Sequence, residues 1–278
     1  MNGTIASGHC AVVTGGASGI GLAAGRKFAA AGMNVVVVDW RDEMFGAAEQ
    51  SLHEAGAGKV MCRKVDVADR EALIALEADV TEAFGGADLV MCNAGIQPGS
   101  DIFDEKGTWA QVLAVNLGGV VNTAQVFGPG MVARGRPATI IATGSKQGIT
   151  TPPGDPAYNT AKAGVKAFTE ALAHEMRNSA PHVAVHLLIP GFVFTDLTRH
   201  DRTEKPPGAW TPDQTAEFMM TSIERGDFYI LCPDNDVDRA TDEKRMAWAM
   251  GDIIENRPPL SRWHPDYGDA FAEFLKSG

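Results

Sequence analysis

Cysteine is scarce and scattered in this chain. Its four residues, Cys10, Cys62, Cys92 and Cys232, include no Cys-x-x-Cys pair, and most fall in apolar strand-like runs. That spacing argues against a disulfide framework and reads as small buried hydrophobes in a reducing compartment. Long apolar runs are missing too: no stretch reaches the ~18 residues of a membrane span. Met1-Asn2-Gly3-Thr4 lacks the charged and apolar regions of a signal peptide, so a cytoplasmic location is expected. Basic charge is outweighed, 24 Lys and Arg against 35 Asp and Glu, a formal net charge of −11 that argues against nucleic-acid binding. The histidines do not cluster. His174-Glu175 opens like a zinc-protease motif without the second histidine, and His182 and His186 flank and enter a strand with no third ligand near them in sequence, so no metal site is expected.

What is present is an ordinary globular composition, 45% hydrophobic and 21% charged over 278 residues, enough for one α/β domain. Strand and helix signals alternate. Strands are expected at Cys10–Val13, Val35–Asp39, Lys59–Val65, Asp88–Cys92, Thr139–Thr143, Val183–Ile189 and Phe228–Cys232, and helices at 19–31, 41–55, 69–84, 104–129 and 156–179. This alternation predicts a Rossmann-like, doubly wound parallel sheet of about seven strands with helices on both faces. Residues 1–233 are expected to form this Rossmann-type domain, and 234–278 a helical C-terminal extension on that domain or a neighbouring subunit.

The first strand runs into Thr14-Gly15-Gly16-Ala17-Ser18-Gly19-Ile20-Gly21, a helical pattern follows, and a second apolar run stops at Asp39. Glycines let the backbone turn tightly and approach a pyrophosphate, and the helix N-terminus supplies free N–H groups and partial positive charge. An acid at the tip of the second strand can accept ribose hydroxyls and repels an extra 2′-phosphate, which favours NAD over NADP. Arg41 just past that tip is the counterweight; it is read here as a solvated first-turn residue. Trp40 either covers an adenine face or caps the sheet edge.

Tyr158 and Lys162 are one helical turn apart, with Ser145 thirteen residues (158 − 145) before the tyrosine. A free phenol titrates near 10, and a neighbouring ammonium is expected to lower that value and give a general acid/base. Asp39, Asp66, Asn93, Ser145 and Pro190 all fall at or just past strand ends, so five segments converge on one edge of the sheet.

On these residues the chain resembles the short-chain dehydrogenase/reductase family. The matching elements are TGGASGIG at 14–21, Asp39, Asp66-Val67, Asn93-Ala94-Gly95, Asn116, Ser145, Tyr158 with Lys162, and Pro190-Gly191, over roughly residues 8–200. The resemblance implies that Asp66 bonds the adenine amino group and Val67 packs on the ring. Asn93-Ala94-Gly95 shapes the end of the fourth strand. Asn116 joins a proton relay through a helix distortion, and Ser145 holds the substrate oxygen. Lys162 bonds the nicotinamide ribose, while Pro190, Gly191 and Thr195 line the carboxamide. The catalytic set is therefore Asn116, Ser145, Tyr158 and Lys162. The cofactor set is Gly15, Ser18, Gly19, Ile20, Gly21, Asp39, Trp40, Asp66, Val67, Asn93, Ala94, Gly95, Tyr158, Lys162, Pro190, Gly191, Val193 and Thr195. Cys92 stands where the family commonly has a second asparagine, and Thr143-Gly144 and Ala161 depart from frequent serines; none of these is a reacting group. A symmetric homodimer or homotetramer is implied, pairing the helices that hold Asn116 and Tyr158.

Three segments leave alternatives open. Lys146 points to solvent in the preferred reading, or toward an acidic substrate or partner. Residues 194–217 form either a lid, with Phe192, Phe194 and Trp210 as apolar walls and Gln97 and Gln147 as further substrate contacts, or a surface loop in which Trp210 packs locally. The extension is rich in large apolar groups that pack on the body, on a second subunit or around the substrate mouth, the last narrowing it for a ring-bearing substrate. The expected activity is NAD-dependent interconversion of a bulky or aromatic secondary alcohol and its ketone. The alternatives are a 3-oxoacyl thioester reductase, a sugar or steroid dehydrogenase, and a non-catalytic dinucleotide sensor.

Overall fold

The computed structural model describes residues 3–199 and 201–276. Met1, Asn2, His200, Ser277 and Gly278, which fall in the expected N-terminus, lid and extension, lie outside the described residues. Seven parallel strands form one sheet: β1 (Cys10–Thr14), β2 (Asn34–Asp39), β3 (Val60–Lys64), β4 (Leu89–Cys92), β5 (Ala138–Thr143), β6 (Val183–Ile189) and β7 (Tyr229–Leu231), in the order β3-β2-β1-β4-β5-β6-β7. The helices between them are α1 (Gly19–Ala30), α2 (Phe45–Ala55), α3 (Arg70–Phe84), α4 (Thr108–Leu113), α5 (Gly119–Arg134), α6 (Gln147–Thr150), α7 (Pro156–Ser179), α8 (Asp196–Arg199) and α9 (Pro212–Arg225), with α10 (Arg239–Ile254) and α11 (Gly268–Lys276) after the last strand.

Successive strand residues face opposite sides of a sheet, so a sheet covered twice needs apolar residues at every position. That is what β1 and β2 supply. Val12, Val36, Val38 and Val90 pack under α3, α5 and α7. Val13, Val35, Val37 and Met91 pack under α1, α2 and α9 with Phe28, Leu52 and Met219. The winding direction reverses between β1 and β4, which opens a crevice at their carboxyl ends, where ligands of such sheets bind.

The helix expected over 104–129 differs in both bounds. Its start is set at Gly107 (φ 81°), where the Asp104 carboxylate accepts the N–H of Thr108 at 3.1 Å. It then carries a π-helical turn, Ala114–Gly118, between α4 and α5, and runs past Pro129 to Arg134, stopping at Gly135 (φ 63°). Likewise the expected lid is shortened. Pro212 does not break a helix but begins α9, at its first position, behind a capping box in which Thr211 and Gln214 satisfy each other's backbone N–H groups. Among the described residues no helix is long and apolar enough to cross a membrane.

The C-terminal extension builds a small core of its own. Trp248 is buried between Phe271 and Phe274, with ring centroids 5.3 and 5.2 Å away. Its indole N–H donates to Ser261 Oγ at 2.8 Å, and the Arg257 guanidinium stacks 4.1 Å over its ring. Arg257 is held in turn by Asp252 at 3.0 Å and by the carbonyl of Trp248 at 2.7 Å. Trp248, Phe271 and Phe274 thus pack on one another and Met246 packs on the main core, while Met250, Ile253, Ile254, Leu260 and Trp263 stay exposed; α10 leans on α6.

Candidate active site

A cleft of about 570 Å³ lies over the carboxyl ends of the strands and is lined by residues of β2, β5 and α7 and of the turns that follow β1, β4 and β6. A larger groove of about 880 Å³ sits at the opposite, amino ends of β5 to β7 and holds none of the expected site residues. The expected site residues gather in the first.

At one end of the cleft is the glycine turn. Thr14 closes β1 by donating to the carbonyl of Met91 (3.2 Å) and accepting from the N–H groups of Asn93 (2.9 Å) and Ala94 (3.2 Å). Asn93 reaches back to the carbonyls of Thr14 and Gly15 at 3.1 and 3.3 Å and accepts from Thr143 Oγ1 at 3.3 Å. One amide therefore ties the ends of β1, β4 and β5 together. The turn needs glycine at 21, where a Cβ would sit 2.2 Å from the carbonyl oxygen of Gly15. No acidic residue occupies the first turn of α1, so its N-terminal N–H groups and partial charge are free to meet an anion.

Asp39 is buried, and its two oxygens accept the N–H groups of Ala17 (3.3 Å) and Arg41 (3.1 Å). These bonds hold the carboxylate beside the turn with lone pairs left for a diol. Arg41 departs from its expected solvated position. Its guanidinium donates to Ser18 Oγ at 2.8 Å and lies 3.6 Å from Asp196 Oδ2, so it spans the cleft beside Asp39. Trp40 lines the same end with a largely exposed ring. Asp66 orients itself by accepting the N–H of Ala68 at 2.9 Å, next to buried Val67. The close-approach turn, the open helix N-terminus and the buried acid together suit a nicotinamide dinucleotide.

At the other end are Ser145, Tyr158 and Lys162. Ser145 follows β5, and its Oγ accepts the N–H of Gln147 at 3.1 Å. Tyr158 and Lys162 are both buried on the face of α7 turned to the cleft. The Lys162 ammonium donates to the carbonyl of Thr143 at 2.8 Å and lies 5.7 Å from the centroid of the tyrosine ring. Burial pushes the Tyr158 phenol up to about 12; the hydrogen bond from Ser145 works against that push and the Asp155 carboxylate adds to it. Burial likewise pushes Lys162 down to about 8. The expected lowering of the phenol by its ammonium neighbour is thus overturned here: desolvation of both groups dominates.

Asn116 sits inside the π-helical turn, fully buried, donating to the carbonyl of Ile96 and accepting its N–H, each at 2.8 Å. It fixes the loop segment following Gly95 rather than lining the cleft. Pro190, Gly191, Val193 and Thr195 line the cleft as expected. Of the expected substrate residues only Gln97 does so; it donates to Gln147 at 3.4 Å. Trp210 instead packs against Phe218, 5.8 Å away, in the core layer of α9. Phe192 and Phe194 flank a backbone bridge to Trp210, formed by Val193, and are not part of the cleft wall. Residues outside the expected site set also enter the cleft: Gln111 of α4, Val115 of the π-helical turn, and Asp196, Leu197 and Thr198 from the segment 194–217. The polar run after Phe194 hinted at the latter group; nothing in the sequence singled out Gln111.

Lys146 departs from its solvent reading as well. Its side chain is largely buried, with Nζ 2.6 Å from Asp242 and 3.4 Å from Asp234.

Comparison with known proteins places this arrangement. The sequence model described as short chain dehydrogenase matches residues 9–206. Galactitol 2-dehydrogenase (L-tagatose-forming) of Cereibacter sphaeroides is 37% identical over 202 residues, 72% of this chain and 76% of that protein. A 3-oxoacyl-acyl-carrier-protein reductase of Chlamydia muridarum is 32% identical over 190 residues, 68% of this chain and 75% of its own. The crystal structure of a short chain dehydrogenase/reductase from Burkholderia phymatum in complex with NAD superposes with a TM-score of 0.82 at 29% identity, covering 91% of this chain and 96% of that one. The chain belongs to the short-chain dehydrogenase/reductase family of oxidoreductases, whose members bind a nicotinamide dinucleotide.

Proposed function

We propose that this protein interconverts a secondary alcohol and its ketone with NAD as the hydride carrier. The observation that carries the reading is the placement of Ser145, Tyr158 and Lys162 at one end of a cleft whose other end holds the glycine turn and buried Asp39. The nicotinamide, when bound, gives or takes the hydride. The chain's own residues do the rest. Asp39 binds the adenosine ribose, with Asp66 and Val67 around the adenine, and Gly191, Val193 and Thr195 border the nicotinamide end. Ser145 holds the substrate oxygen. Tyr158 donates its proton to that oxygen as a carbonyl is reduced and receives it back when an alcohol is oxidised. A phenol kept protonated by burial is suited to the donating role. Lys162 keeps positive charge beside the proton path up to about pH 8, and Asn116 holds the wall behind it.

NAD is preferred over NADP because a 2′-phosphate would meet the Asp39 carboxylate, and like charges at a binding surface cost several kcal/mol. Arg41 softens that repulsion without replacing the acid. For the substrate, the amide pair Gln97–Gln147 beside Ser145 favours a hydroxylated chain over a bulky aromatic one. The polyol named in the description of the Cereibacter relative is in keeping with that preference. Further parts of the proposal are division of the chain at 233/234 into a catalytic body and an extension, assembly as a homodimer or homotetramer, and residence in the cytoplasm.

The test is absorbance at the NADH band with a panel of polyols, simple secondary alcohols and aromatic alcohols, each with NAD⁺ and NADP⁺. Turnover of polyols with at least about tenfold preference for NAD⁺ is expected, a difference of about 1.4 kcal/mol. Tight NADH binding with no turnover of any alcohol would instead mark a dinucleotide sensor.

A further inference from the structure

Directly after Ser145, and 88 residues from its nearer acidic partner in sequence, Lys146 makes the ion cluster that joins the catalytic strand β5 to the C-terminal extension. The family match ends at residue 206, so Asp234 and Asp242 both lie in the part of the chain it does not describe. The cluster is well shielded: the side chain of Lys146 is 18% exposed, and those of Asp234 and Asp242 are 8% and 6% exposed. Each partner is also tied to backbone that borders the site. The N–H of Lys146 donates to the carbonyl of Pro190 at 3.3 Å. Asp234 Oδ2 accepts the N–H of Phe192 at 3.3 Å, and its Oδ1 accepts those of Asp236 (3.1 Å) and Val237 (2.8 Å). Gly191 passes so near that a Cβ there would lie 2.6 Å from Asp234 Oδ2 and 2.9 Å from Lys146 Nζ. Asp242 belongs to the first turn of α10, the helix that leans on α6, whose N-cap is Lys146.

We propose that Lys146, clasped by Asp234 and Asp242, is a positioning residue that fixes the Ser145 hydroxyl and the Pro190–Phe192 turn relative to each other, so that the extension sets the substrate end of the site without touching substrate. The proposal rests on the reading of Ser145 as the holder of the substrate oxygen. Two shielded carboxylates face one ammonium, Asp234 being held by three backbone N–H groups, and the lysine's own backbone follows the serine directly and bonds the turn at Pro190. Loss of either charge leaves a shielded charge without its partner and lets both backbone segments shift. A displacement of about 1 Å at a positioning group is enough to cost on the order of 100-fold in rate.

The test combines hydrogen exchange with steady-state kinetics on the full chain. In Lys146→Met the amides of Lys146, Gln147 and Phe192 are expected to exchange at least about tenfold faster, while those of β1 and β2 are unchanged. In the same variant kcat/KM for the alcohol falls by about tenfold or more, with the KM for NAD held within about twofold, and Lys146→Arg recovers part of the loss. A role in stability alone would lower the melting temperature without that split between substrate and cofactor. Asp242→Asn, which keeps size and removes one charge, is read in the same way, so misfolding of the methionine variant does not shelter the proposal. Unchanged exchange at those amides, or unchanged kinetics in a folded variant, overturns it. Absence of turnover in the unsubstituted enzyme counts against the proposed function and leaves the clasp to be decided by exchange rates alone.

Discussion

At Tyr158 and Lys162 burial acts in opposite directions, and both results bear on stability as well as on proton transfer. Lys162 is held at about 8 in the folded protein against an ordinary value of 10.5, and Tyr158 at about 12 against 10. Between pH 8 and 10.5 the unfolded chain carries a proton on residue 162 that the folded chain lacks, so stability rises with pH over that window. Above pH 10 the folded chain keeps a phenolic proton that the unfolded chain loses, and stability falls through about pH 12. Wild type is therefore expected to gain on Lys162→Met between pH 8 and 10, by up to about 1.4 kcal/mol per pH unit, in urea denaturation. Parallel stability profiles would show that Lys162 is not held down by burial. The Tyr158–Lys162 pair was legible in the sequence because its spacing is local: four residues place Lys162 beside Tyr158 on one helix face. Arg41 and Lys146 were not legible because their partners lie far along the chain, Ser18 at 23 residues and Asp234 at 88. A charged side chain beside a strand end reads as solvated until the fold brings its counter-charge to it.

At the scale of elements, the inner strands were legible from their apolar runs, since β1, β2, β4 and β5 are buried on both faces, whereas the edge strand β3 is only half-buried. The helix after β4 was read less well. A π-helical turn leaves little trace in side-chain period, and Pro129 suggested an end where α5 continues to Arg134. The lid was overestimated because Pro206-Pro207 and Pro212 look alike in sequence, whereas Pro212 is the first residue of α9. The extension is the element whose role depends most on tertiary context. Its aromatic residues form a satellite core around Trp248, so Trp248→Ala is expected to cost about 3–5 kcal/mol locally. The loss would appear as faster exchange and proteolysis across α10 and α11 with the central strands unaffected. Equal loosening of β1 and β4 would mean that the extension and the sheet unfold as one unit.

At the scale of the whole molecule, a parallel sheet gathers residues from distant segments at one edge. Asp39, Asp66, Asn93, Ser145 and Gly191 share a cleft because each follows the carboxyl end of a strand, and the reversal between β1 and β4 opens it. That geometry turns short motifs into one site, and it explains why the cofactor end was readable from sequence while the substrate wall was not. The wall is made by loops whose course depends on packing, as with Trp210, which joins the core beside Phe218 instead of covering the cleft. In the proposed reaction the buried phenol of Tyr158 moves the substrate proton within this cleft. The most direct test is turnover of the preferred alcohol by Tyr158→Phe, with NADH binding followed by fluorescence in the same preparation. Loss of at least ~100-fold in kcat, with NADH affinity held within about twofold, is predicted. Turnover near that of wild type would contradict the claim.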